Sequence, residues 1–166
     1  MARLRFETLH ARFLSALGDS VVSHSDIKER PLTVDLRSPL PHKIRLYIFT
    51  ITNPRGGRTP DEHKIQLIIP GQKRGERANF DNSDGRITIL AGLEPESGVF
   101  VLWDAGLYPD FSYSRNVQVK GGTIYSALAG KIKTQERRLR SQPKEVLVAT
   151  PVSKLGEALQ LRVQIT

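Results

Sequence analysis

Between residues 32 and 150 the chain is a succession of short apolar runs, each closed by turn chemistry, and this punctuation limits the fold more than any other feature. The runs cover 32–36, 44–52, 64–69, 86–90, 99–104, 116–120 and 145–150. Each is rich in Val, Ile, Leu, Tyr, Phe or Thr, the residues that fit a pleated sheet. Asn53-Pro54, Gly56-Gly57, Pro70-Gly71, Asp84-Gly85 and Gly121-Gly122 separate them. Residues 44–51 are almost continuously apolar, so this run is expected at the centre of a sheet covered on both faces. Runs 44–52 and 64–69 are sequence neighbours and are expected to pair antiparallel. Their flanking loops then lie at opposite ends unless the sheet curls.

Helical spacing frames this strand-rich region. Phe6, Leu9, Phe13, Ala16 and Leu17 predict a helix over 3–17 that stops at Gly18. The polar stretch 19–31 reads as a connector. Thr123 is placed to cap a helix reaching about Arg140, with Ile124, Ala127, Leu128, Ile132 and Leu139 as its stripe. Ser153 is placed to cap a last helix carrying Leu155, Ala158, Leu159 and Val163. Helices that do not alternate strictly with strands mean α+β. The expectation is a mostly antiparallel sheet of about seven strands, curled into an open barrel, with two or three helices. A restriction-endonuclease-like core is the alternative. No linker divides 1–166, so a single domain is expected. The abrupt C-terminal end suggests a domain cut from a longer protein.

The chain has 166 residues and no cysteine, which excludes disulfides, thiolate metal sites and a cysteine nucleophile. No apolar leader follows Met1, and no apolar run approaches the length of a membrane span. A cytoplasmic protein with no membrane partner is the expectation. Lys and Arg number 25 against 17 Asp and Glu, a formal charge of +8. A basic surface of this kind attracts polyanions.

The positive charge is concentrated. Arg55 and Arg58 flank a Gly-Gly pair, and Lys73, Arg74 and Arg77 follow Pro70-Gly71. Glycine lets backbone approach phosphate, and the guanidinium fork matches phosphate or guanine. Asn79, Asp81 and Asn82 suit base edges, and they equally suit a solvated turn. Alternation along 116–120 puts Asn116, Gln118 and Lys120 on one face, with Tyr113 and Arg115 just before them. Lys64 and Gln66 share a face of their own strand, and the two strands are candidates for one polar, ligand-facing surface. Lys131, Lys133, Arg137, Arg138 and Arg140 read as the solvated basic tail of a helix.

Catalytic chemistry is the second possibility. Asp104 ends one strand, and Gln118-x-Lys120 ends another that is followed by helix, strand and helix. That order resembles the core of the PD-(D/E)xK nuclease superfamily. The resemblance implies that Asp104 and Gln118 hold Mg²⁺ and that Lys120 activates water. Gln118 stands where an acid is usual, and it brings no charge to a metal. Glu62-x-Lys64, with Asp35 upstream, is a competing triplet. His10, His24, His42 and His63 have no metal-ligand spacing. There is no phosphate loop, dinucleotide fingerprint or nucleophile elbow. Trp103 reads as core, and an aromatic cage of Trp103, Tyr108, Phe111, Tyr113 and Tyr125 is the alternative.

The stretches NPRGGRTPDEHKIQLIIPGQKRGERANF and VFVLWDAGLYPDFSYSRNVQVK resemble the N-terminal or accessory domains of bacterial restriction endonucleases and their partner proteins. Several of those domains have a DNA-binding pseudobarrel fold in which two arms enter the major groove. The resemblance implies arms at 53–62 and at 71–84 or 105–115. It implies a double-stranded DNA-binding, target-recognition domain of a restriction system, sequence- or modification-specific, needing no cofactor. A nuclease, translocase or methyltransferase module is the implied partner. Mg²⁺ enters only with the nuclease alternative, and an RNA- or protein-interaction domain of the same charge is a third possibility.

Overall fold

The computed structural model describes residues 3–53, 61–138 and 144–165. Helix α1 (Phe6–Leu17) leads into β1 (Val21–His24), β2 (Leu32–Leu36) and β3 (Lys43–Thr50). Strands β4 (Glu62–Leu67) and β5 (Arg77–Ala78) precede β6 (Ile87–Leu93) and β7 (Phe100–Trp103). Strands β8 (Phe111–Ser112) and β9 (Arg115–Lys120) lead to α2 (Gly121–Leu128), β10 (Lys133–Arg137), β11 (Glu145–Thr150) and α3 (Leu155–Gln164).

Seven strands form one sheet in the order β1-β2-β3-β6-β7-β11-β10, antiparallel except for the parallel β3–β6 pair. This is the expected α+β architecture, with an open rather than closed sheet. Parallel neighbours need a crossover of a dozen or more residues. Here β4 and β5 lie on that crossover, which is why β4 does not pair along β3 as the sequence led one to expect. A single antiparallel bridge, Thr52 to Lys64, joins them. β4 pairs instead with β9, and β5 pairs with β8.

Strand alternation sends the sheet's side chains into two cores. On one face Ile44, Leu46, Ile48, Ile89, Ala91, Phe100 and Leu102 pack beneath α1 and α3, against Leu9, Phe13, Leu155 and Leu159. On the other, Tyr47, Phe49, Leu90, Val101 and Trp103 meet Ile65 and Val117 of the β4–β9 ribbon and Ile124 of α2. β3 is therefore covered on both sides, as its composition requires. Gly92 of β6 admits this second layer: a Cβ there would stand 2.6 Å from Ile51 Cγ1 and 3.0 Å from Ile65 Cγ2.

β1 lies in the stretch taken for a connector. The helix expected from Thr123 to about Arg140 starts at Gly121 and ends at Leu128. Gly130, at φ 109°, turns the chain, and 133–137 becomes an edge strand. Lys133 and Arg137 thus sit on a strand, not on a helix tail. Arg140 falls outside the described residues. No helix among the described residues is long and apolar enough to cross a membrane.

Candidate nucleic-acid interface

The β4–β9 ribbon is in register from Glu62↔Lys120 through Lys64↔Gln118 and Gln66↔Asn116 to Leu67↔Arg115. Because side chains alternate, His63, Ile65 and Leu67 face inward with Val117 and Val119. Glu62, Lys64, Gln66, Asn116, Gln118 and Lys120 share the opposite face. Lys64 Nζ donates to Asn116 Oδ1 at 3.0 Å, and the Arg3 guanidinium donates to Gln66 Oε1. The two polar strand faces singled out in the sequence are thus one surface.

Besides the Thr52–Lys64 bridge, the ribbon is tied to the main sheet at the Gln118 carbonyl. Trp103 Nε1 and an Arg137 guanidinium nitrogen both donate to the Gln118 carbonyl oxygen, at 3.0 and 2.6 Å. Arg137 in turn lies 4.0 Å from the fully buried Glu145 carboxylate. Tyr108 donates to that carboxylate at 2.5 Å, and Arg115 lies over the Tyr108 ring, 4.8 Å from its centroid. Burial pushes the Glu145 carboxyl up, against the downward pull of the Tyr108 hydroxyl, the Asp104 amide and the two nearby arginines. Burial and the Glu145 charge push the Tyr108 phenol up, far beyond its ordinary value.

An arm extends from the Leu67–Arg115 end, where Ser114 N–H donates to Leu67 O at 3.0 Å. The β5–β8 pair forms its base. Lys73 and Arg74 are exposed in its loop. Glu76 Oε1 accepts the Lys73 backbone N–H at 2.7 Å, which shapes the loop without engaging the Lys73 ammonium. Arg77 is ion-paired to Asp110 at 2.9 Å, and Asn79 Oδ1 accepts the Asp110 N–H at 2.7 Å. Arg74, Arg77 and Tyr113 line an open hollow between the arm's two strands. At the other end of the ribbon, Gln118, Lys120, Arg137 and Arg138 surround a second hollow with Asp61 and Glu62.

The described part of the expected set therefore gathers along one ribbon and its arm: Lys64, Gln66, Asn116, Gln118 and Lys120 on the first, with Lys73, Arg74, Arg77, Asn79, Tyr113 and Arg115 at or beside the second. Arg55 and Arg58 lie outside the described residues. Asp81 and Asn82 have structural partners instead. Asp81 and Asp84 flank the buried Arg45 guanidinium at 3.3 and 3.4 Å, and Asn82 Oδ1 accepts from the Thr88 hydroxyl at 2.6 Å. Hydrogen bonds from Ser83, helped by Arg45, hold the Asp81 carboxyl below its usual range.

The nuclease trio is not brought together. Trp103 points into the core beneath the ribbon, so the next side chain, Asp104, points to the other face of the sheet. There Asp104 Oδ1 caps the following turn by accepting the Gly106 N–H at 3.0 Å. The strand carrying Gln118 and Lys120 belongs to a different sheet. In the competing triplet, Asp35 is ion-paired to Arg86 at 2.9 Å. No cluster of three or more His, Asp or Glu among the described residues is arranged to hold a metal ion. The aromatic cage does not form either. Trp103, Tyr108 and Phe111 are core, whereas Tyr125 is exposed on α2. Sequence reasoning missed Arg3 and the pinning role of Arg137. Nothing local marks Arg3, and Arg137 was hidden by the helix reading.

These features define an α+β domain that carries a polar, cation-rich two-stranded ribbon on a seven-stranded floor. Residues 42–159 match the methylase-associated X1 family model, and the chain belongs to that family, a domain found in restriction-modification systems. The chain matches no curated protein and no solved structure.

Proposed function

We propose that this domain binds double-stranded DNA and supplies target recognition beside a methyltransferase module of a restriction-modification system. The observation that carries the reading is the β4–β9 ribbon, whose outward face bears amides and the exposed Lys120 ammonium, with Lys64 buried against Asn116, and whose arm presents Lys73 and Arg74. A two-stranded ribbon fits the major groove, which is about 12 Å wide. Six residues per strand span roughly 20 Å at about 3.3 Å per residue, enough to follow several base pairs.

The roles divide by chemistry. Lys73, Arg74, Arg115 and Lys120 take phosphates, which position the duplex. Gln66, Asn116 and Gln118 offer paired donors and acceptors of the kind that read base edges, Asn and Gln being suited to adenine. Lys64 and Arg3 hold Asn116 and Gln66, so those amides are positioned before any ligand arrives. This reading needs no cofactor, and family membership supports the methyltransferase setting.

The test is duplex binding by the purified chain in EDTA over a salt series. The expected result is an affinity that falls steeply as salt rises, because bound phosphates release counterions. Affinity independent of salt, or preference for single-stranded RNA over duplex DNA, refutes the reading.

A further inference from the structure

Where β3 ends beside the start of α1, the surface opens into a hollow of about 190 Å³. Its walls are aromatic: Phe6 and Phe49 meet edge to face, with centroids 6.1 Å apart. Its polar groups are few and fixed. Arg30 lies 3.4 Å over the Phe6 ring and donates to Ile68 O at 3.0 Å. Thr50 Oγ1 accepts the Leu4 N–H at 3.0 Å and keeps its own hydrogen to donate. Gln66 presents its amide, with Arg3 on its oxygen. Among the described residues, none that lines the space is acidic.

The size is well below the roughly 300–1,000 Å³ of sites for drug-sized ligands, so the hollow takes one ring system rather than a whole nucleotide. Aromatic walls, one of them already stacked by Arg30, with donors at the rim suit a planar heterocycle with acceptor edges. Position narrows this further. Gln66 belongs both to the hollow and to the ribbon's polar row, directly opposite Asn116. A duplex lying on the ribbon therefore passes over the mouth.

We propose that this hollow receives a single nucleobase swung out of the bound duplex, with Phe6 and Phe49 walling the ring and Gln66, Thr50 and Arg30 addressing its edge. The proposal rests on the DNA-binding reading above and names the site through which one base is inspected. A base that leaves the stack loses neighbours on both faces. Enclosure by aromatic walls and hydrogen bonds to its pairing edge are what offset that loss in proteins that act this way.

The experiment uses the full chain and duplexes carrying 2-aminopurine, whose emission rises when it leaves the stack. One series places the probe in a matched pair and one in a mismatch, where extrusion is least costly. A severalfold rise in emission on binding is expected, largest in the mismatch. Thr50→Val, which keeps the side-chain shape, is expected to remove most of that rise while leaving the salt slope of binding as it was, since Thr50 lies off the ribbon's polar row and no charge is lost or released. Circular dichroism checks that the variant is folded. Tight binding without any rise, or an equal rise with Thr50→Val, overturns the proposal and leaves the DNA-binding reading standing. Failure of the duplex to bind at low salt overturns both. A third arm titrates free 2-aminopurine nucleoside monophosphate. Saturable binding of the nucleotide with no response from the duplex assigns the hollow to a soluble ligand and overturns base extrusion.

Discussion

Replacing Lys73 and Arg74 together by alanine isolates what the arm contributes to duplex affinity. Both side chains are exposed, and the carboxylate that shapes their loop, Glu76, accepts a backbone N–H of Lys73 rather than its ammonium. Each is thus able to displace one counterion from a phosphate. The expected loss is about 0.9 in the slope of log affinity against log salt per cation, hence up to about 1.8 for the pair. Between 50 and 200 mM salt, the wild-type chain should then lose about twelvefold more affinity than the double variant. Arg77→Ala is the internal contrast. Arg77 already holds Asp110 at 2.9 Å, so its removal also frees an acid and should change the slope far less than either free cation does. Fluorescence anisotropy with a labelled duplex, over at least four salt concentrations, measures all three slopes. Folding is not at issue, since exposed substitutions of this kind shift stability by no more than about 0.5 kcal/mol. Slopes for the double variant and the wild type that agree within about 0.3 would refute the assignment of the arm to phosphate contact.

Two further outcomes test the scaffold. His10 is buried, and its Nδ1 lies 2.7 Å from Ile27 O. Burial lowers its pKa from 6.5, and Arg30 lowers it further against the Ile27 hydrogen bond. The unfolded chain therefore takes up a proton near pH 6.5 that the fold refuses, so stability present above pH 6.5 is lost as pH falls toward the depressed value. Urea midpoints at pH 7.5 and 5.5 should drop less for His10→Gln than for the wild type, and equal drops would count against this origin. Gly92→Ala should cost about 1–3 kcal/mol by overpacking, because the new methyl meets Ile51 Cγ1 at 2.6 Å. Adding Ile51→Ala should cost less than the two single changes together, and strict additivity in a double-mutant cycle would contradict the packing account.

The seven runs of β-favouring residues were legible because burial on both faces demands continuous apolar stretches, as in β3. The polar faces of β4 and β9 were legible for the converse reason. Alternation puts exposed Asn116 and Lys120 and half-buried Gln118 on one side while Val117 and Val119 are buried on the other. Strand partners were not legible. Nothing local tells β4 to leave β3 for β9, since that choice follows from β3 and β6 lying side by side. β10, which reads Lys-Thr-Gln-Glu-Arg, lacks any apolar alternation because it is a charged edge strand, and so it passed for the end of a helix. The base-sized hollow escaped notice because its walls come from four separated segments of ordinary composition.

The ribbon is assembled from two detours of the chain, one leaving the floor between β3 and β6 and the other between β7 and β10. Neither detour crosses the hydrogen-bond ladder of the seven-stranded sheet, and each is half of a surface that exists only when both are present. On the proposed reading specificity travels as a pair: exchanging both segments between relatives is expected to carry a preference from one domain to another, whereas exchanging either alone leaves mismatched halves on an intact foundation.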